Sequence, residues 1–145
     1  MKTLIFYLFY ILISTQLSAQ SIPDVSGIWC SSKNDCKVQL YKVGNTFEGK
    51  IVWLLKDRDE QGNLLLDKKN PDPALRNKPL VGMKVLWDAM YNPVTNSFEN
   101  GTAYVKGNEF CGKFKLNSDG TLSVTGYICR MQFLHKTDVW TRVNN

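Results

Sequence analysis

One histidine, His135, stands in the 145 residues. An imidazole-based metal centre needs more ligands than that; a Ser-His-Asp triad needs only one histidine, with Asp138 as a formal partner, but no Gly-x-Ser-x-Gly element surrounds any serine. No Cys-x-x-Cys occurs, so thioredoxin-type redox chemistry and zinc knuckles lack their basic spacing. Glycine-rich phosphate loops are absent. Internal repeats, low-complexity tracts and long blocks of like charge are absent too. The longest apolar run, Leu4 to Ile13, has ten residues, about half of what a bilayer-spanning helix needs.

That short run instead has the layout of an export leader. Lys2 precedes it, and Leu17-Ser-Ala19 follows with small residues at cleavage-site spacing. Cleavage near Ala19/Gln20 is expected, giving a leader over 1–19 and a single domain over 20–145. No cysteine stands at the cleavage point to carry a lipid, and no transmembrane anchor is expected. The remaining 126 residues suffice for one domain with a real core. Losing one lysine and no acid lowers the net charge from +5 to +4. The signs are interspersed, as on a solvated surface, and export argues against a nucleic-acid partner. The expected location is periplasmic or secreted.

Most of the exported chain alternates apolar and polar residues with the period of β-strand. Strands are expected over 25–30, 37–43, 46–55, 84–90, 97–106, 108–116, 121–130 and 136–143. Turn chemistry separates them, including Gly44-Asn45, Gly107-Asn108 and Asn117-Ser-Asp-Gly120; residues 131–135, with His135, read as a connection. About eight short strands joined by hairpins predict an all-β fold: a small antiparallel up-and-down barrel, closed because closure removes exposed edges. Phe47, Gly49, Ile51, Trp53 and Leu55 share one face of the third strand.

Four cysteines in an exported chain indicate disulfides. They allow three pairings. Alternation puts Cys111 and Cys129 on the outer face of adjacent strands, so these two are expected to bridge through a diagonal or a bulge. Cys30 and Cys36 flank a turn and are expected to close it.

One stretch breaks the strand pattern. Residues 67–82 hold three of the five prolines, Pro71, Pro73 and Pro79, among Asp, Asn, Lys and Arg. They end a connection, 56–82, longer than compact domains usually use. Asp72 suits an N-cap, Pro73 a first helical position, and Pro79 disfavours helix at Lys78, so a short helix over 73–76 is expected. Two readings of the polar groups stand side by side. In one, Asn70, Asp72 and Arg76 rim a site at the barrel mouth, Arg76 meeting an anionic or carbonyl group. In the other they brace the loop itself. Trp29, Trp53, Trp87, Trp140 and Tyr104 either line a pocket or fill the barrel.

Gly27-Ile-Trp29, Gly49-Lys-Ile-Val-Trp53, Asn70-Pro-Asp-Pro-Ala-Leu-Arg76, Lys78-Pro-Leu-Val-Gly82 and Trp140-Thr-Arg-Val143 occur in that order. Together they resemble the bacterial family of exported domains of unknown function numbered 2147. The resemblance spans nearly all of the exported chain. It implies a lipocalin-like barrel and no established activity.

The expected function is non-catalytic binding of a small apolar or amphiphilic molecule by a monomer without a cofactor or metal. Its site would comprise Trp53, Asn70, Asp72, Arg76, Trp87 and Tyr104, at a mouth covered by the 67–82 loop. An interaction, inhibitor or stress module of the cell envelope is the alternative. A hydrolase using Asp57, Asp59, Glu60, Asp67 or Asp72 is the third reading.

Overall fold

The structure is a computed structural model and describes residues 21–144; the leader expected over 1–19 lies outside them. Eight strands form one closed antiparallel barrel in sequence order. They are β1 Gly27–Cys30, β2 Cys36–Val43, β3 Thr46–Leu54, β4 Lys84–Asn92, β5 Ser97–Val105, β6 Asn108–Leu116, β7 Leu122–Ile128 and β8 Met131–Arg142. The predicted barrel is what the chain forms. Residues 131–135 are strand rather than connection, because β8 pairs back from a two-residue turn at Cys129-Arg130, with Arg130 at φ 71°. The expected short helix is a single 3-10 turn, Pro73–Leu75, whose N-cap Asp72 accepts from Ala74 N. Proline on both sides leaves no room for a second turn.

The barrel interior is packed around Trp29, Val38, Leu40, Phe47, Leu86, Phe98, Phe114 and Leu122. Phe98 stacks on Phe114 with centroids 4.7 Å apart, and Phe47 meets Phe98 edge-on at 4.9 Å. Gly49 makes room for its neighbours: a Cβ there would sit 2.9 Å from Leu40 and 3.2 Å from Val38. Gly126, by contrast, leaves the space beside it open. The seam between β1 and β8 is narrow, with Trp29 opposite Arg142 and Cys30 opposite Thr141. Arg142 reinforces it: its guanidinium lies 4.4 Å from the Trp29 ring centroid and donates to the carbonyls of Ser26 and Asp24.

Bulges decide which side chains face in. Val38 pairs with Ile51 but Lys37 pairs with Trp53, so Val52 is an extra residue on β3. Because side chains alternate, that one residue turns Trp53 to the outer face. There it is 37% exposed, with Lys37 Nζ 5.0 Å above its ring, instead of sharing the inner face with Ile51. In β4, Asp88 at φ 62° is the extra residue, so Leu86 and Ala89 both point inward and Trp87 points out.

Cys111 and Cys129 form the expected disulfide, with Cα atoms 5.0 Å apart. Cys111 lies opposite Tyr127, so Cys129 is reached diagonally. Cys30 and Cys36, expected to bridge, are free. The reason is register. Cys30 lies opposite Lys37 on the outer face, whereas Cys36, one residue away, packs against the core. Cys30 Sγ donates instead to Asn34 Oδ1 at 3.5 Å. Burial pushes the Cys36 thiol up to about 11, with the nearby Asp35 and Cys30 adding to the rise. Two thiols per chain should therefore titrate with a thiol reagent in denaturant, and Cys36 should react far more slowly in the native protein at pH 8 than after unfolding. A count of zero in denaturant would show Cys30 and Cys36 bonded.

Candidate functional site

Up-and-down topology brings the 31–35, 55–83, 106–107 and 129–130 connections to one end of the barrel. The long loop therefore rises from that rim, as the sequence suggests. Its 67–82 segment does not lie over the opening, however. It folds down against the outer wall of β4, β5 and β6. Register shows this: Leu86 and its partner Ala103 face in, so Trp87 and its partner Thr102 face out, and Tyr104 does too.

Asp67 fastens the loop to the wall. The carboxylate is 3% exposed, and its Oδ2 accepts from Tyr104 Oη at 2.7 Å and from Asn70 Nδ2 at 2.6 Å. Asp67 N donates to Lys78 O, and Leu66 bridges to Pro79. Residue 107 completes the seat. Gly107, at φ 89°, sits in the β5–β6 turn, and a Cβ there would meet Lys69 O at 2.5 Å. Only glycine combines that backbone with so close an approach.

Burial, with the Asp67 carboxylate as hydrogen-bond acceptor, pushes the Tyr104 phenol up to about 12. The neutral phenol is thus favoured by folding, so its contribution is complete below the unfolded value near 10 and disappears as pH rises through about 12. The stability difference between the wild type and Tyr104→Phe should shrink across that window in urea melts. A difference that stays constant would break the link between this phenol and the loop.

Arg76 turns inward on the loop. Nε donates to Asn70 O at 2.7 Å and Nη2 to Pro71 O at 3.3 Å. Asn70 Oδ1 accepts from Asp72 N at 2.9 Å, and Asp72 Oδ1 accepts from Ala74 N at 2.9 Å. The polar groups of the proline-rich segment thus satisfy one another, which is the bracing arrangement.

Between loop and wall lies a half-open cleft of about 740 Å³. Trp87 and Tyr104 belong to the wall; Pro71, Leu75, Pro79 and Val81 belong to the loop; Met83 lies where the loop returns to the sheet. Asn70, Asp72, Lys78, Lys84 and Glu109 supply polar groups. Lys84 Nζ is 3.0 Å from Glu48 Oε1, and that hydrogen bond is the main cause of its raised pKa. Of the six residues expected at a site, Asn70, Asp72, Trp87 and Tyr104 meet here. Arg76 supports the loop behind them, and Trp53 stands on the outer face beside Lys37. Sequence reading missed Lys78, Val81, Met83, Lys84 and Glu109. For the first three the signal was available, since the loop had to return along the wall to start β4.

With this geometry in place the chain can be set beside known proteins. Residues 27–142 match the family described as an uncharacterized protein conserved in bacteria, DUF2147. The chain belongs to this family. Curated proteins give no match. Among solved structures, protein HP1028 from the human pathogen Helicobacter pylori, described as belonging to the lipocalin family, is similar over 84% of each chain at 23% identity and a TM-score of 0.70. At that identity the likeness establishes a lipocalin-like fold and nothing finer. In this DUF2147 barrel, no helix among the described residues is long and apolar enough to cross a membrane. Nor do three His, Cys, Asp or Glu side chains among them gather as a metal ion would need.

Proposed function

We propose that this protein is exported after loss of residues 1–19 and works as a monomeric, non-catalytic binder of a small amphiphilic molecule. The observation that carries the reading is the cleft: about 740 Å³, apolar along Trp87, Leu75, Val81 and Met83, with ammonium, amide and carboxylate groups at its margins. That size and lining suit a drug-sized or lipid-sized guest held by its apolar body and oriented by a few polar contacts. Lys78 suits an anionic head, because among the described residues its ammonium has no carboxylate within salt-bridge reach. Arg76 would act by holding the loop in shape. Export draws support from the leader-like start of the chain and from the Cys111–Cys129 bridge.

Native mass spectrometry of protein purified from its own host should find a retained small molecule. Titration with long-chain fatty acids should quench Trp fluorescence, and Trp87→Ala should weaken binding by about tenfold, the worth of one well-placed aromatic contact. Binding unaffected by Trp87→Ala would move the site elsewhere. No retained molecule together with no fatty-acid binding would end the proposal.

A further inference from the structure

The far end of the β7–β8 hairpin lacks the pattern of the rest of the sheet. Residues 128–137 are all exposed, whereas the strands leading to them alternate. Phe133 is 78% exposed, Leu134 50%, Ile128 47% and Met131 44%. Tyr127 pairs with His135 and Ile128 with Met131, so Gln132, Phe133 and Leu134 have no counterparts on β7. This surplus interrupts the β7–β8 ladder at Phe133. The tip is nevertheless tethered, because the Cys111–Cys129 bridge ties the turn to β6. A contiguous apolar tip on a covalently fixed hairpin calls for a partner.

Its charge says which. From Gly120 to Thr137 there is no acid, while Arg130, His135 and Lys136 flank the apolar residues. The adjacent β5–β6 hairpin adds Val105, 52% exposed, and Lys106. Along these strands the nearest acids are Glu109, which the β6–β7 register sets level with Cys129, and Asp138, further down β8; Arg130, Lys136 and Lys106 outnumber Glu109 at the tip. We propose that this hairpin tip docks the protein on an anionic lipid surface, with Phe133 and its apolar neighbours entering the headgroup boundary and Arg130 and Lys136 meeting lipid phosphates. The apolar residues are uncovered on both faces of the hairpin. A protein partner with a flat surface would cover one face, whereas a bilayer surrounds a penetrating tip on both. Apolar insertion and cationic attraction together are what reversible interfacial binding requires. This inference does not depend on the cleft holding a ligand.

Co-sedimentation of the purified protein with vesicles tests it. Association is expected with vesicles of phosphatidylcholine containing phosphatidylglycerol, and much less with phosphatidylcholine alone. F133S/L134S should weaken binding to the anionic vesicles about tenfold or more. R130Q/K136Q should weaken it by a similar factor, about fivefold per cation, and abolish the difference between the two vesicle types. Both pairs are exposed, so circular dichroism should show folded barrels. As a second reading, Phe133→Trp should give blue-shifted emission on adding anionic vesicles. Three results would overturn the proposal: no association of the wild type with anionic vesicles; F133S/L134S binding as tightly as wild type; or a dimer that F133S/L134S splits in the absence of any vesicle binding, which would make a second copy the occupant.

Discussion

Asp67→Ala is expected to destabilise the protein by about 3 kcal/mol and to empty the cleft of its function at the same time. The carboxylate ties the loop to the wall through Tyr104 Oη and braces the loop itself through Asn70 Nδ2. Removing it leaves a buried phenol and a buried amide without their acceptor, at roughly 1–3 kcal/mol for each unsatisfied group. For a domain of this size that amounts to a fall of roughly 10 °C in melting temperature. Asn70 also shapes the turn that presents Asp72 and accepts from Arg76, so the error spreads along the proline-rich segment. Asp67→Asn keeps an acceptor and should lose less. Urea unfolding of the three proteins gives the values, and fatty-acid titration of the folded fraction gives the effect on the cleft. A loss below about 0.5 kcal/mol for Asp67→Ala, the range of ordinary surface substitutions, would mean the loop is held by something else.

Trp29→Ala should cost more, about 4 kcal/mol. The side chain is fully buried, and truncating a core tryptophan removes roughly 3–5 kcal/mol of transfer and packing energy. Its indole Nε1 donates to Val25 O at 2.9 Å, which draws the segment before β1 onto the barrel. The Arg142 guanidinium over the ring would lose its partner where β1 and β8 share only two residue pairs. Since small domains are stable by about 5–15 kcal/mol in all, the variant should be partly unfolded near body temperature. Trp29→Phe retains most of the apolar volume and should lose about half as much. Hydrogen exchange should then show β1 and β8 opening before β5 and β6. Uniform loss of protection over all eight strands would place the weak point away from the seam.

The contrast between these two residues marks where sequence reading succeeds. Trp29 was legible as an inward aromatic of the first strand, lining a pocket or filling the barrel, and the structure decides for filling. Asp67 was visible only as one of several loop carboxylates. Its role depends on Tyr104, 37 residues away, and no local pattern joins them. Trp53 shows the same limit differently. Straight alternation puts it beside Ile51, and a single extra residue on β3 reverses it. The free pair Cys30 and Cys36 follows the same logic, since one position of register separates facing residues from residues on opposite faces.

Period-two alternation and turn residues by themselves determined that this chain makes about eight short antiparallel strands and that Cys111 and Cys129 share the outer surface of their sheet. Those properties are local, and each strand carries its own copy of the signal. Only the tertiary structure decided that the irregular loop lies against the outside of the wall, that Tyr104 and Asp67 clamp it there, and that the β7–β8 tip remains bare. These depend on bulges and on contacts between residues distant in the chain. A shift of one position changes which face a side chain takes and leaves the composition of the strand untouched.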